Sequence, residues 1–120
     1  MSTKILVIDD NEEFNFLLAE VFSQAGFQVG SYLQPREALE AIQSERYQLV
    51  VTDYAMPGMK GVEVVRRVKQ IDAEVPVILI SGALNADQID EVKVAGADDV
   101  ILKPFNVFEL IEKGEALIRN

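Results

Sequence analysis

Three aspartates, a serine and a lysine in this 120-residue sequence sit where they could do chemistry together. Asp9 and Asp10 close an apolar run that starts at Lys4, with Glu12 just behind. Asp53 ends the run Gln48-Leu49-Val50-Val51-Thr52. Ser81 follows Pro76-Val77-Ile78-Leu79-Ile80, and Lys103-Pro104 follows Asp99-Val100-Ile101-Leu102. If the runs are neighbouring strands, Asp9, Asp10 and Asp53 meet in one pocket. Two unit charges about 4 Å apart interact by about 4 kcal/mol at an effective dielectric near 20. Unshielded, the three carboxylates either keep protons or take up a divalent cation. An oxygen-only donor set favours Mg²⁺ or Mn²⁺ and suits Ca²⁺ less well. Mg²⁺ in such a site keeps waters and an open position, which a phosphoryl oxygen can fill. With Lys103 as a positive charge and Ser81 as a hydroxyl donor, the set fits phosphoryl transfer. Asp53 would be the nucleophile and would form an aspartyl phosphate.

Composition narrows the rest. The chain has no cysteine and no histidine, which removes disulfides, thiolate metal sites, Ser-His-Asp triads and phosphohistidine on this chain. Eleven basic residues against 20 acidic ones give a net charge of −9. A nucleic-acid-binding domain carries a basic patch, so direct nucleic-acid binding is not expected. No apolar run approaches the roughly 18 residues that a membrane span needs, and Met1 to Ile8 is too short for a signal peptide. The expected compartment is the cytoplasm. The length suits one domain over residues 1–120.

The elements that must position these groups alternate in period. Lys4 to Asp9 reads as a strand buried on both faces. Phe14, Leu17, Leu18, Val21, Phe22 and Ala25 form the inward stripe of a helix that Gly26 ends. Phe27 to Tyr32 is a more polar strand, and Pro35 opens a second helix with Ala38, Leu39 and Ile42 inward. Gln48 to Asp53 is the third strand. Pro57, Gly58 and Gly61 then break a loop, and Val62, Val65 and Val68 mark the third helix. Pro76 to Ile80 is the fourth strand, Asp87 to Ala95 a short, weakly apolar helix, and Asp99 to Leu102 the fifth strand. Val107, Leu110, Ile111, Leu117 and Ile118 stripe the last helix. Five strand–helix units imply an α/β fold: a parallel sheet with helices on both faces and its site at the strands' carboxyl ends.

Each part also has a plainer reading. A lone aspartate after a strand is more often a cap or turn residue, and Asp10 or Asn11 suits the N-cap of the first helix. Serine is common in loops. Tyr54, Met56 and Met59 read as packing residues. The joint placement on four strand ends carries the argument.

Together these motifs resemble the receiver domain of two-component response regulators. The resemblance runs from Ile5 to about Ile118. It rests on Val7-Ile8-Asp9-Asp10, on Asp53-Tyr54-Ala55-Met56-Pro57-Gly58-Met59-Lys60-Gly61, on Ser81-Gly82, and on Gly96-Ala97-Asp98-Asp99 leading to Lys103-Pro104-Phe105. It implies a flavodoxin-like doubly wound fold with strand order 2-1-3-4-5. It implies phosphorylation on Asp53, with Mg²⁺ held by Asp9, Asp10, Asp53 and the backbone carbonyl of Ala55. Ser81 matches the switch hydroxyl and Lys103 the phosphate-pairing lysine, with a cis bond to Pro104. The family's switch aromatic lies three residues before that lysine, where this chain has Val100, a stiff β-branched residue.

The resemblance also implies partners. A sensor histidine kinase or phosphotransfer protein would donate the phosphoryl group. The face of the fourth helix, fifth strand and fifth helix would then bind a downstream protein, a fused output domain or a second copy of the chain. Such a protein is a signalling phosphoacceptor that assists its own phosphorylation and hydrolysis, not an enzyme with an external substrate. A receiver-like binding module that works without phosphorylation is the main alternative. A haloacid-dehalogenase-type phosphatase wants a second aspartate where Ala55 stands. An FMN carrier wants a hydroxyl-rich phosphate loop where Asp9-Asp10-Asn11-Glu12 would repel phosphate.

Overall fold

In a computed structural model describing residues 3–119, the apolar runs form one five-stranded parallel sheet. The strands are β1 (Lys4–Ile8), β2 (Gln28–Tyr32), β3 (Leu49–Asp53), β4 (Val77–Ser81) and β5 (Asp99–Leu102). The helices are α1 (Glu12–Gln24), α2 (Pro35–Ser44), α3 (Gly61–Ile71), α4 (Ala86–Ala95) and α5 (Val107–Arg119). The strand order is β2-β1-β3-β4-β5, as the resemblance implies. Every residue of β3 and β4 is buried, and so is β1 from Ile5 on. The more polar β2 takes an edge, where one side stays exposed to water.

Side chains alternate along the strands and feed two cores. Leu6, Ile8, Val50, Val77 and Leu79 face one layer with α2, α3 and Val92 of α4. Ile5, Val7, Leu49, Val51, Ile78, Ile80 and Ile101 face the other, with Leu18 and Phe22 of α1 and Leu110 of α5. Burying each such aliphatic or aromatic side chain stabilises the fold by roughly 1.5–3 kcal/mol. The anchoring is uneven between helices. Gly61, Val62, Val64, Val65 and Val68 of α3 are buried, whereas Val92 alone is buried in α4.

Local signals set the boundaries. Asn11 caps α1, its Oδ1 accepting from the Phe14 amide at 2.9 Å, with Glu12 and Glu13 favourable in the first turn. Gly26 follows that helix at φ +100°. Pro35 opens α2. Asn85 and Gln88 form a capping box at α4. The Lys103–Pro104 bond is cis. No described helix is long and apolar enough to cross a membrane.

One stripe needs correction. In α1 the residues facing the sheet are Asn15, Leu18 and Phe22, while Leu17 is 46% exposed and Ala25 also faces solvent. Positions 15, 18 and 22 share one helical face, and a polar side chain occupies the first of them. A search for apolar spacing therefore rotates the helix toward Leu17.

Candidate functional site

The carboxyl ends of β1, β3, β4 and β5 converge because β1 pairs with β3, β3 with β4 and β4 with β5 in one parallel ladder, and further backbone bonds tie the strand ends. The Asp9 amide donates to the Tyr32 carbonyl at 3.2 Å, Tyr54 N to the Ile80 carbonyl at 3.0 Å, and Lys103 N to the Ser81 carbonyl at 2.7 Å. In register Asp53 lies beside Ile80, and Ser81 beside Leu102. The parallel ladder thus brings residues far apart in sequence to one rim.

Carboxylate oxygens of Asp9, Asp10 and Asp53 lie within 4.8 Å of one another. Asp9 and Asp53 are buried and Asp10 is exposed. Asp9 Oδ1 accepts from the Asn11 amide at 2.9 Å. Burial first, then the nearby Asp53 and Asp10 charges, push the Asp9 carboxyl up to about 6, against the Asn11 hydrogen bond and Lys103. Burial also raises Asp53, against the charge of Lys103, whose Nζ stands 3.5 Å from Asp53 Oδ1. Oxygen donors clustered this closely, two of them out of water and with one ammonium nearby among the described residues, fit a hard divalent cation.

The remaining expected residues lie around this cluster. Ala55 is exposed in the loop two residues past Asp53. Ser81 is buried as the last residue of β4, its hydroxyl donating to the Ala83 carbonyl at a long 3.5 Å. Pro104 is exposed beside Lys103. Val100 is half-buried and packs at the rim of the layer that includes Tyr54, Leu84 and Ala97. Met56 is buried in the core, with Tyr54 and Met59 packed against it, in line with their reading as packing residues.

Three supporting residues escaped the reading of the sequence. Buried Asn15 donates through Nδ2 to the Asp9 carbonyl at 3.0 Å and the Tyr32 carbonyl at 2.9 Å, tying α1 to the ends of β1 and β2. The signal for it was an amide inside an apolar stripe. At Gly61 an added Cβ would lie 2.4 Å from the Asp53 carbonyl oxygen and 2.7 Å from Tyr54 Cα, so α3 starts directly against the backbone of Asp53. Its amide donates to the Tyr54 carbonyl at 2.7 Å. Phe14 places its ring 4.2 Å from Lys103 Nζ. No spacing rule reveals that contact, because it joins the first turn of α1 to the end of β5.

Comparison with known proteins points to one family. Residues 5–115 match the family model described as the response regulator receiver domain. Over 110 residues the chain is 37% identical to sporulation initiation phosphotransferase F of Bacillus subtilis, covering 92% of this chain and 89% of that protein. It is 34% identical over 118 residues to the transcriptional regulatory protein PrrA of Mycobacterium tuberculosis, covering 98% of this chain and 51% of that one. The chain thus spans most of the first relative and about half of the second. Among solved structures, the chemotaxis protein CheY4 of Vibrio cholerae superposes with a TM-score of 0.92 at 26% identity, covering 98% of this chain and 99% of that one.

Proposed function

The chain belongs to the response regulator receiver domain family of two-component phosphorelay signalling, and from that premise we propose that Asp53 is its phosphoacceptor. The observation that carries this reading is the cluster itself: three carboxylates within 4.8 Å of one another and an ammonium group 3.5 Å from Asp53.

In this reading residues 1–120 act as one cytoplasmic receiver domain, and the donor is a phosphohistidine on a kinase or phosphotransfer partner. An Asp53 oxygen attacks the phosphorus, the P–N bond to the donor breaks, and an acyl phosphate forms on Asp53. Asp9, Asp10, Asp53 and the Ala55 carbonyl would hold Mg²⁺, which supplies positive charge to offset the approaching phosphoryl oxygens. Lys103 offsets the charge on the remaining oxygens. The acyl phosphate carries roughly −1.5 to −2 charge units where the Asp53 carboxylate carried −1, drawing Lys103 and the loosely held Ser81 hydroxyl toward it.

The readout is a population shift at the face of α4, β5 and α5. That face carries Val94 at 88%, Leu102 at 44% and Phe108 at 74% exposure, apolar surface suited to a protein partner or a second copy. With Val100 in place of an aromatic, the segment after Ser81 rather than a rotating ring carries the signal to it.

Intact mass after incubation with acetyl phosphate tests the acceptor. One phosphoryl adduct is expected, dependent on Mg²⁺ and absent in Asp53→Asn. An adduct that survives in the Asn variant moves the acceptor elsewhere. No adduct, and no beryllofluoride binding either, favours a module that binds without phosphorylation. Lys103→Ala should keep Mg²⁺ affinity but lose the beryllofluoride-induced NMR shifts in α4 and α5; unchanged shifts would remove Lys103 from the switch.

A further inference from the structure

Lys103 ends a flexible four-carbon stem, yet the reaction needs its ammonium at one place. Its Nζ lies 3.5 Å from Asp53 Oδ1 and at the same time 4.2 Å from the centroid of the Phe14 ring. The two contacts coexist, so the ring does not compete with the carboxylate for the lysine. The ring is itself held. Asn11 caps the Phe14 amide at 2.9 Å, and Phe105 meets the Phe14 ring edge-on at 6.0 Å with an interplanar angle of 83°. Phe105 lies two residues beyond Lys103, so one short segment supplies both the ammonium and the brace for its ring. Asn11, Glu13, Phe14 and Leu17 share a surface hollow with Lys103, so the arrangement sits at the open edge of the site.

We propose that Phe14 is a positioning residue for Lys103. Its π face holds the ammonium against Asp53 before the phosphoryl group arrives, while Phe105 fixes the ring. The quadrupole of an aromatic face attracts a cation and limits the conformations a lysine samples. The lysine is therefore preorganised, and the charge it must offset in the transition state meets it already in place. The inference rests on the assignment of Asp53 and Lys103 above.

The test compares initial rates of acetyl phosphate labelling at saturating Mg²⁺ in the unaltered protein, Phe14→Leu and Phe14→Tyr. Leucine keeps apolar bulk and removes the π face; tyrosine keeps both. The rate should fall about fivefold in Phe14→Leu and stay within about twofold in Phe14→Tyr, with Mg²⁺ affinity unchanged in both. The Lys103 Hε protons should resonate upfield of those of the other lysines in the unaltered protein and return to the common position in Phe14→Leu. A leucine variant as fast as the unaltered protein overturns the proposal. So does a tyrosine variant as slow as the leucine one, or an ordinary Lys103 Hε shift. If the unaltered protein takes no label, the Asp53 assignment fails and this inference with it; if it labels normally and Phe14→Leu matches it, only the role of Phe14 falls.

Discussion

The two ends of the sheet treat charge in opposite ways. At the amino end, Lys69 of α3 reaches the Asp98 carboxylate at 3.0 Å and the Val75 carbonyl at 2.7 Å, and Asp98 also accepts from the Val77 amide at 2.8 Å. Cation, anion and backbone are matched there, and α3 is stapled to the start of β4. At the carboxyl end, three carboxylates share the reach of one ammonium group, and burial pushes two of them toward the neutral form. One sheet thus carries a balanced end that holds the fold and an unbalanced end where the proposed chemistry lies. Imbalance of this kind is what a functional site costs a fold.

Removing charge should therefore have opposite signs at the two ends. The largest effect is expected at Asp9. A carboxyl raised from 3.8 to about 6 on folding binds more protons in the native state, so its contribution to stability is full below about pH 4 and lost as pH rises through about 6. That shift amounts to about 3 kcal/mol. Asp9→Asn keeps an oxygen for the Asn11 amide and should raise stability by about that much at pH 8 in metal-free buffer, with no gain near pH 4. Urea titrations at the two pH values measure it; a destabilised variant at pH 8 would reverse the reading of this end.

Mg²⁺ should do reversibly what Asp9→Asn does permanently. At a hundredfold excess over its dissociation constant, it should stabilise the unaltered protein by about 2.7 kcal/mol. Thermal melts with and without the ion report this, and most of the gain should vanish in Asp9→Asn. An equal gain in both proteins would place the ion elsewhere.

The smallest effect is expected at the balanced end. Lys69→Met removes one cation and leaves the Asp98 carboxylate with the Val77 amide alone. The loss should be about 1–2 kcal/mol, because the pair is partly open to solvent. It should not change with Mg²⁺. A stabilised Met variant would erase the contrast between the ends.

Much of this asymmetry is readable without coordinates, but not evenly. Unbroken apolar runs such as Val77-Ile78-Leu79-Ile80 leave little choice of element, and the residues just past them must lie on one rim of a parallel sheet. Asp9, Asp10, Asp53 and Lys103 therefore stand out from position alone, and a family resemblance gives them roles. Asn15 does not, because its value lies in two carbonyls that only the folded chain brings within 3.0 Å of its amide. Leu17 misleads for the related reason that apolar spacing cannot tell a core face from an exposed apolar one. Gly61 reads as a loop breaker, whereas its importance is the 2.4 Å that a Cβ would leave to the Asp53 carbonyl oxygen. Contacts between elements distant in sequence, such as Phe14 with Lys103, leave no local trace.

The thin attachment of α4 has a consequence of its own. A helix that buries Val92 alone gives up little when it lifts from the sheet. Its amides should exchange with solvent deuterium through openings far cheaper than those that release α3. The signal can then be small and still be felt: a phosphoryl group need supply only enough differential energy to tilt a helix that one fully buried side chain anchors.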